Sequence, residues 1–454
     1  MAPRKEKLKI HPRSAPRGRR RTCIDLFSGA GGLAVGFRQA GWSVLAANDI
    51  DPDAGATFRL NFPEASFFEG PISALTSDAL LKECRMRRGE LDCLIGGPPC
   101  QSFSYNNHQR SAEDERARLF RDYLRLVDAL RPKTLIMENV PGILTIGDNA
   151  VIKEIAAQLA SLDYDCAVEV LSAEEFGVPQ IRRRVFIVAS RIGLARHLLP
   201  APTHCSAAVR APRSHEATTN KDKPAPARRK TITIHEAIGD LPILRSGRGS
   251  HVTPRRKGGP KSRFQRNARK GSTELRNHIC HALTPAMLKR IGYVPEGGNW
   301  RDIPRKLLPA GMRRARLSDH TKRYGRLSRK GLASTILTKC DPHWGAYIHP
   351  TQNRTISVRE AARLQGFPDQ FIFAGEHLSK QYAQVGNAVP VPIARAIADT
   401  TLKHITQSAR GKSRLRRLKS PRRRTYRRGR QRNVLGRSLR RPAHRGRILR
   451  HQSR

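Results

Sequence analysis

No apolar run in this 454-residue sequence approaches the length of about 18 residues that a bilayer-crossing helix needs. The basic start, Met1 to Arg21, is followed by an apolar stretch, Thr22 to Phe27, too short for the core of a secretory signal. Cysteine is sparse as well: the eight residues, at 23, 84, 93, 100, 166, 205, 280 and 340, include no CxxC pair. That pattern argues against a zinc ribbon and against a secreted disulfide framework, so the chain reads as a reduced intracellular protein. No segment repeats. Acidic residues are the scarcest relative to need, 37 against 86 Lys and Arg, and the resulting +49 selects a polyanion, most naturally nucleic acid, as counterpart. What is plentiful is apolar: 38% hydrophobic residues can fill at least one sizeable core, and the length suits two or three domains.

The charge is unevenly placed. Met1 to Arg21 carries +8, Ala201 to Lys330 +23 and Arg410 to Arg454 +20 without a single acid, while Thr22 to Pro200 and Gly331 to Ala409 together carry −2. A nearly neutral body in two pieces is therefore interrupted by a basic insert and flanked by basic tails. The division this predicts is a tail over 1–21, a body over 22–200 and 331–409, an insert over 201–330, and an Arg-rich tail over 410–454. Low complexity and the lack of acids predict disorder in the tails.

Within the body, strands alternate with helices. Strands are expected at Thr22 to Phe27, Ser43 to Asn48, Leu91 to Ile95, Thr134 to Met137, Asp165 to Leu171 and Val185 to Ala189. Helices are expected at Leu33 to Ala40, Arg116 to Leu130, Val151 to Leu162, Val358 to Leu364 and Pro392 to Leu402. Alternation of this kind predicts a doubly wound α/β sheet with ligands at the carboxyl ends of its strands. The insert is rich in Pro, Gly, Arg and Lys and reads as a loop-rich second domain.

Polar clusters follow the strand ends. Asp25-Leu-Phe-Ser-Gly-Ala-Gly-Gly32 is a glycine turn between strand and helix; it suits close approach of a ligand, or it is an ordinary turn. Asn48-Asp49-Ile50-Asp51 puts a carboxylate where ribose hydroxyls bind in dinucleotide folds. Gly96-Gly-Pro-Pro-Cys100 fixes a sulfur at a strand end, as a nucleophile or as a structural thiol. Met137-Glu-Asn-Val-Pro141 and Gln180-Ile-Arg-Arg-Arg184 add an acid and guanidinium groups at the same edge. Cys, carboxyl and Arg converging on one edge make a covalent-catalysis site with nucleophile, proton donor and anion clamp.

From about Thr22 to Leu402 the sequence resembles a DNA (cytosine-5-)methyltransferase of the bacterial type. Asp25 to Gly32 resembles the family's first S-adenosylmethionine motif, Pro98-Pro99-Cys100 its nucleophile motif, Glu138-Asn139-Val140 its acid motif and Gln180-x-Arg182-x-Arg184 its arginine motif. Arg354-x-x-Ser357-x-Arg359-Glu360 with Ala361 to Pro368 resembles the structural motif closing the recognition region, and Gln384 to Pro390 the last motif, which returns to the cofactor. The resemblance implies a Rossmann-like methyltransferase sheet with a smaller target recognition domain at 201–330. It implies catalytic roles for Cys100, Glu138, Arg182 and Arg184, with Cys100 adding to cytosine C6 and Glu138 acting at N3. S-adenosylmethionine would be held by Asp25, Phe27, Gly29, Gly31, Gly32, Asp49, Ile50, Pro99 and Asn387, and DNA approached by the loop of Gln101, Ser102 and Ser104. Pro71, in Glu69-Gly-Pro-Ile72, departs from the family, which often has an adenine-binding acid there; Glu69 or a carbonyl would substitute. The implied partner is double-stranded DNA, with no metal and no membrane, for a cytoplasmic, DNA-associated monomer that is solitary or accompanied by a restriction endonuclease acting on the same site. A DNA-binding protein with a silent catalytic domain and a tRNA methyltransferase are the rival readings. In the insert, Val294 to Asp302 with Trp300 reads either as a groove-facing loop or as packing, while His343, Trp344 and Tyr347 read as structural.

Overall fold

The computed structural model describes residues 20–99, 119–205, 228–254 and 258–419, without the side chains of 146, 148 and 411–419. The described residues up to Ala409 form one compact unit; of the second, Arg410–Arg454, residues 410–419 are described and are helical. The tail beyond 419, like the tail over 1–19, lies outside the described residues.

Seven strands build the main sheet: β1 Thr22–Leu26, β2 Ser43–Asp49, β3 Ser66–Glu69, β4 Cys93–Gly96, β5 Thr134–Asn139, β6 Asp165–Ser172 and β7 Arg183–Ser190, in the order β3-β2-β1-β4-β5-β7-β6. β1 to β5 are parallel, and β7 runs antiparallel to both β5 and β6. Side chains alternate across the sheet because the strand period is two. Cys93, Ile95, Ile136, Phe186 and Val188 thus enter one hydrophobic core, and Leu94, Leu135, Met137, Val185 and Ile187 enter the other. The first core is closed by α1 Gly32–Gln39; the second by α4 Leu119–Leu130 and α5 Ala150–Ser161, following α2 Pro52–Asn61 and α3 Ser77–Glu83 in the chain. α4 buries one apolar face, with Tyr123, Leu126 and Leu130 inside and the Tyr123 hydroxyl donating to Leu94 O at 3.0 Å.

Helices on both faces make the sheet doubly wound, as expected. After β3 the chain crosses back to β4 beside β1, so the order reverses between β1 and β4, and their carboxyl ends form the crevice where such sheets bind ligands. The antiparallel β7 matters equally. Its register pairs Glu138 with Phe186 and Asn139 with Val185, which brings the start of β7 to the end of β5.

The rest of the chain supplies α6 Ile234–Ile238, β8 Gly249–Pro254, α7 Arg263–Arg269, β9 Glu274–Ile279, α8 Pro285–Gly292, α9 Val358–Leu364, α10 Leu378–Asn387 and α11 Val391–Lys419. β8 and β9 pair as an antiparallel ribbon. Ile234, Ala237, Ile238, Leu241 and Leu275 share the first sheet core with α9, α10 and α11, while Ile291, Val294, Trp300, Met312, Tyr324 and Ile348 form a separate small core. The closing helix is longer than the sequence suggests, running 17 residues past Leu402. No helix among the described residues is long and apolar enough to cross a membrane.

Candidate active site

The glycine turn after β1 is built around left-handed backbone. Phe27 has φ 54° and Gly29 φ 52°; such a conformation in a bulky residue is uncommon and clusters at ligand clamps. A Cβ added at Gly29 would meet nothing within 4 Å, so open space lies over this turn. Asp49, at the end of β2, staples the turn in place: its Oδ2 accepts from Gly29 N at 2.7 Å and its Oδ1 from Asp51 N at 2.9 Å. Burial raises the Asp49 pKa, and the N–H groups of Asp51 and Gly29 oppose that rise. A carboxylate has about four lone-pair sites, so each oxygen can still accept a hydroxyl. Next to it Ile50 is 68% exposed, an apolar side chain without cover beside the carboxylate.

Asp25, one residue before the end of β1, has both carboxyl oxygens buried and lacking a well-formed hydrogen bond; Ser28 Oγ is orphaned in the same way. Burial pushes the Asp25 pKa well up, against the Ala34 N–H and with a smaller contribution from Asp49. A buried polar group without a well-formed hydrogen bond is costly, and these two mark a place where a polar or cationic ligand would be stabilising. Gly32 is needed for a different reason: a Cβ there would lie 2.6 Å from Val389 O, so the segment after α10 packs directly on the turn. Gly31 faces Phe58 and Phe62, and Asn387 is exposed at the end of α10. Asn48 Nδ2 donates to Phe68 O and Gly70 O, fixing the loop that carries Pro71, and Glu69 forms an exposed ion pair with Arg59 at 3.0 Å. Gly32→Ala is expected to cost about 1–3 kcal/mol of stability by overpacking, read as a lower urea midpoint; an unchanged midpoint would contradict the contact.

At the neighbouring strand end, Pro98 is buried and Pro99 exposed. Asn139 Nδ2 donates to Pro98 O at 3.2 Å, tying the acid motif to the proline turn. Cys100, Gln101, Ser102 and Ser104 lie outside the described residues. Glu138 is 8% exposed, and Arg184 Nε lies 2.8 Å from its Oε1, an ion pair that lacks regular hydrogen-bond geometry. Burial raises the Glu138 pKa, while the charges of Arg184 and Arg182 hold it down. A Cβ at Gly97 would lie 3.1 Å from Glu138 Oε2, so the glycine preserves space beside that oxygen.

Arg182 is placed differently from Arg184. It is fully buried, and its Nη atoms donate to Ile336 O at 2.9 Å, Gly386 O at 2.7 Å and Ala388 O at 3.2 Å. Gln180 and Gln365 complete this lattice: Gln180 donates to Leu364 O and Gln365 Oε1, and Gln365 to Val385 O. The Gln180 and Gln365 roles, and the hold of Asn139 on Pro98, were not assigned from the sequence; Gln-x-Arg and Asn next to Glu were the only signals. Among the described residues no His, Cys, Asp and Glu group could hold a metal ion.

Trp300 resolves to packing: it is 3% exposed in the small core, with Nε1 donating to Asp319 O. Beside it opens a cavity of about 550 Å³ edged by Arg301, Arg305, Arg313 and Arg314. Tyr347 is buried, as expected of a structural residue, whereas Trp344, also read as structural, is 51% exposed.

A family model described as C-5 cytosine-specific DNA methylase matches residues 21–403. The chain is 33% identical to Type II methyltransferase M.AgeI of Thalassovita gelatinovora, over 83% of this chain and 98% of that protein. It is 32% identical to Type II methyltransferase M.DdeI of Desulfomicrobium norvegicum, over 83% of this chain and 87% of that one. A solved structure from E. coli, described as a prophage-encoded DNA modification methyltransferase, superposes with a TM-score of 0.63 at 25% identity, over 85% of this chain and 99% of that chain. Agreement over this length, in sequence and in fold, means that the chain belongs to the C-5 cytosine-specific DNA methylase family and is a methyltransferase.

Proposed function

We propose that the protein is a sequence-specific DNA cytosine-5 methyltransferase that takes its methyl group from S-adenosylmethionine. The observation carrying this reading is the meeting of two half-sites at the switch point of the sheet. Asp25, the open Gly29 turn, Asp49 and Ile50 lie at the ends of β1 and β2; the tethered Pro98 and the Glu138–Arg184 pair lie at the ends of β4 and β5. The first set fits the cofactor: the buried Asp25 carboxyl, without a well-formed hydrogen bond, suits the ammonium of the methionine part, Asp49 the ribose hydroxyls, and exposed Ile50 with Phe27 the adenine. Gly31, Gly32, Pro99 and Asn387 complete that wall. When bound, S-adenosylmethionine supplies an electrophilic methyl group.

The residues of the chain prepare the acceptor. Cytosine C5 is a weak nucleophile, and addition of the Cys100 thiolate to C6 makes it enamine-like; loss of the C5 proton and elimination of Cys100 later restore aromaticity. Glu138, with its pKa raised by burial, donates to or hydrogen-bonds N3. Arg184 holds Glu138 and offers charge for the base O2, whereas Arg182, occupied by carbonyls, positions the wall behind them. Stacking hides C6 in a duplex, so the base must be extracted at a cost of a few kcal/mol. The insert over 201–330, with its +23, would contact phosphates while reading sequence, and Gln101, Ser102 and Ser104 would close over the strand. The Type II designation of the relatives supports a restriction-modification setting, with a partner endonuclease or without one.

Incubation with labelled S-adenosylmethionine, duplex DNA and tRNA tests the reading. Label is expected in DNA; label only in tRNA, or none, would overturn it in favour of the tRNA enzyme or the silent binder. Cys100→Ser is expected to abolish turnover and keep DNA binding, measured by gel shift beside the labelling assay.

A further inference from the structure

Three tryptophans occur in the chain, and two are buried in ordinary core roles: Trp42 is 2% exposed with Nε1 on Ala398 O, and Trp300 is 3% exposed. Trp344, at 51% exposure, is the exception. It sits at a tight turn held by Asp341, whose O accepts from Trp344 N at 2.9 Å and whose Oδ1 accepts from His343 N at 2.8 Å. His343 packs edge-on against the indole, with centroids 5.4 Å apart, and in turn contacts the Tyr324 ring. Two cations frame the ring: Lys339 Nζ is 5.5 Å and Arg323 Cζ 5.7 Å from its centroid.

The turn stands on a rigid stem. The Tyr347 hydroxyl donates to Thr335 O and accepts from Leu337 N, bracing the two legs of the loop against each other. The first leg is bound to the catalytic edge, because Ile336 O accepts from Arg182, Ile336 N donates to Gln180, and Thr335 Oγ1 donates to Ile181 O. Ile181 and Leu337, 46% and 44% exposed, extend the apolar surface along it. An exposed indole, cations at its faces and a stem fixed to the strand that carries Arg184 together suit a polyanion with aromatic faces, which is a nucleic acid and not a protein helix.

We propose that Trp344, with Lys339 and Arg323 beside it, is a DNA contact that stacks on a nucleotide of the substrate strand outside the base pocket. The inference rests on the DNA methyltransferase reading and adds a residue to it. Stacking supplies affinity that is independent of phosphate charge, and the two cations align the backbone so that the ring meets a base or sugar face. Base faces open only where the stack is disturbed, which the extraction of a cytosine requires.

Because Trp344 is the exposed indole, its emission reports the contact directly. Sheared unmethylated bacterial DNA is expected to quench the fluorescence of the full chain, heparin at equal charge is not, and Trp344→Phe is expected to lose the quench. Trp344→Ala is expected to weaken DNA binding by about 5- to 150-fold at fixed salt, the range that one stacked base supports. The slope of affinity on salt should stay unchanged, since no phosphate contact is lost. Equal quenching by heparin, no quenching by DNA, or unchanged affinity in Trp344→Ala would each overturn the proposal. Methyl transfer to the same DNA by the wild-type protein is measured in parallel. Its absence would sink the functional reading, whereas transfer without quenching would sink the Trp344 contact alone.

Discussion

Glu138→Gln is expected to lower kcat by about 100- to 10,000-fold, the range for losing a positioned general acid, with DNA affinity close to wild type. The substitution keeps the shape of the side chain at the end of β5 and leaves Asn139 free to hold Pro98, so the proline turn before Cys100 stays in place. What it removes is a proton that can be released and regained. Burial shifts the Glu138 equilibrium toward the protonated form, and Arg184, 2.8 Å away, pulls it back toward the carboxylate, with a further pull from Arg182. The sign of a second experiment follows. If turnover needs protonated Glu138, the rate falls on the alkaline side of its pKa; deleting the opposing cation in Arg184→Ala raises that pKa and moves the alkaline limb to higher pH, even as the overall rate drops. A kcat–pH profile in both proteins decides it. A limb that stays put, or a Glu138→Gln protein that turns over normally, would remove Glu138 from the chemistry.

The strands and their faces were legible because a buried parallel sheet writes itself as short apolar runs, and Leu91 to Ile95, Thr134 to Met137 and Val185 to Ala189 each became a strand. α2 and β3 were not found. α2 has little apolar periodicity, since only Ala54, Gly55, Thr57 and Phe58 are buried, and its clearest mark was a cap: Asp51 accepts from Asp53 N, with Pro52 at the first helical position. The strand-end residues were legible as a group, because motif order survives in one dimension. Their division of labour was not. Arg182 and Arg184 are two apart, yet Arg182 lies just ahead of β7 and reaches the carbonyls of 336, 386 and 388, while Arg184, inside β7, reaches Glu138. Exposure of Trp344 was equally hidden, since a sequence shows an aromatic beside His and Tyr but not which of them the turn at Asp341 leaves outside. The closing helix was underestimated because its last turns are basic and carry no apolar stripe.

Glu360→Gln is expected to destabilise the protein by about 3–5 kcal/mol, the cost of leaving one partner of a buried ion pair alone. Arg354 and Glu360 are 0% and 1% exposed and meet through two parallel bonds of 2.7 and 2.8 Å. The same carboxylate accepts from Ser357 N at 2.7 Å while Ser357 Oγ accepts from Glu360 N, so one side chain both neutralises Arg354 and caps α9. α9 is the bolt between the two parts of the chain. Arg359 donates to Arg276 O in β9, Arg363 to Ala237 O in α6 and to Asp369, and Gln365 to Val385 O ahead of the segment that packs on Gly32. Loosening α9 should therefore weaken cofactor binding as well as lower the urea midpoint, although Glu360 touches neither ligand. The pH dependence has a definite sign. Arg354 holds the Glu360 carboxyl far below its ordinary range, so its contribution is complete above about pH 4.3 and is lost as pH falls toward the depressed value. His349 acts earlier. Its Nδ1 accepts from Thr351 N, and burial brings its pKa down to about 4, so the folded state holds it neutral. Below about pH 6.5 the unfolded chain takes up a proton that the folded one refuses, and stability drains away from there to about 4. Urea midpoints across pH 7 to 4 should fall in the wild type, less steeply in His349→Asn, and Glu360→Gln should start lower at pH 7. Equal slopes for wild type and His349→Asn would show that His349 is not the acid-sensitive group in this bolt.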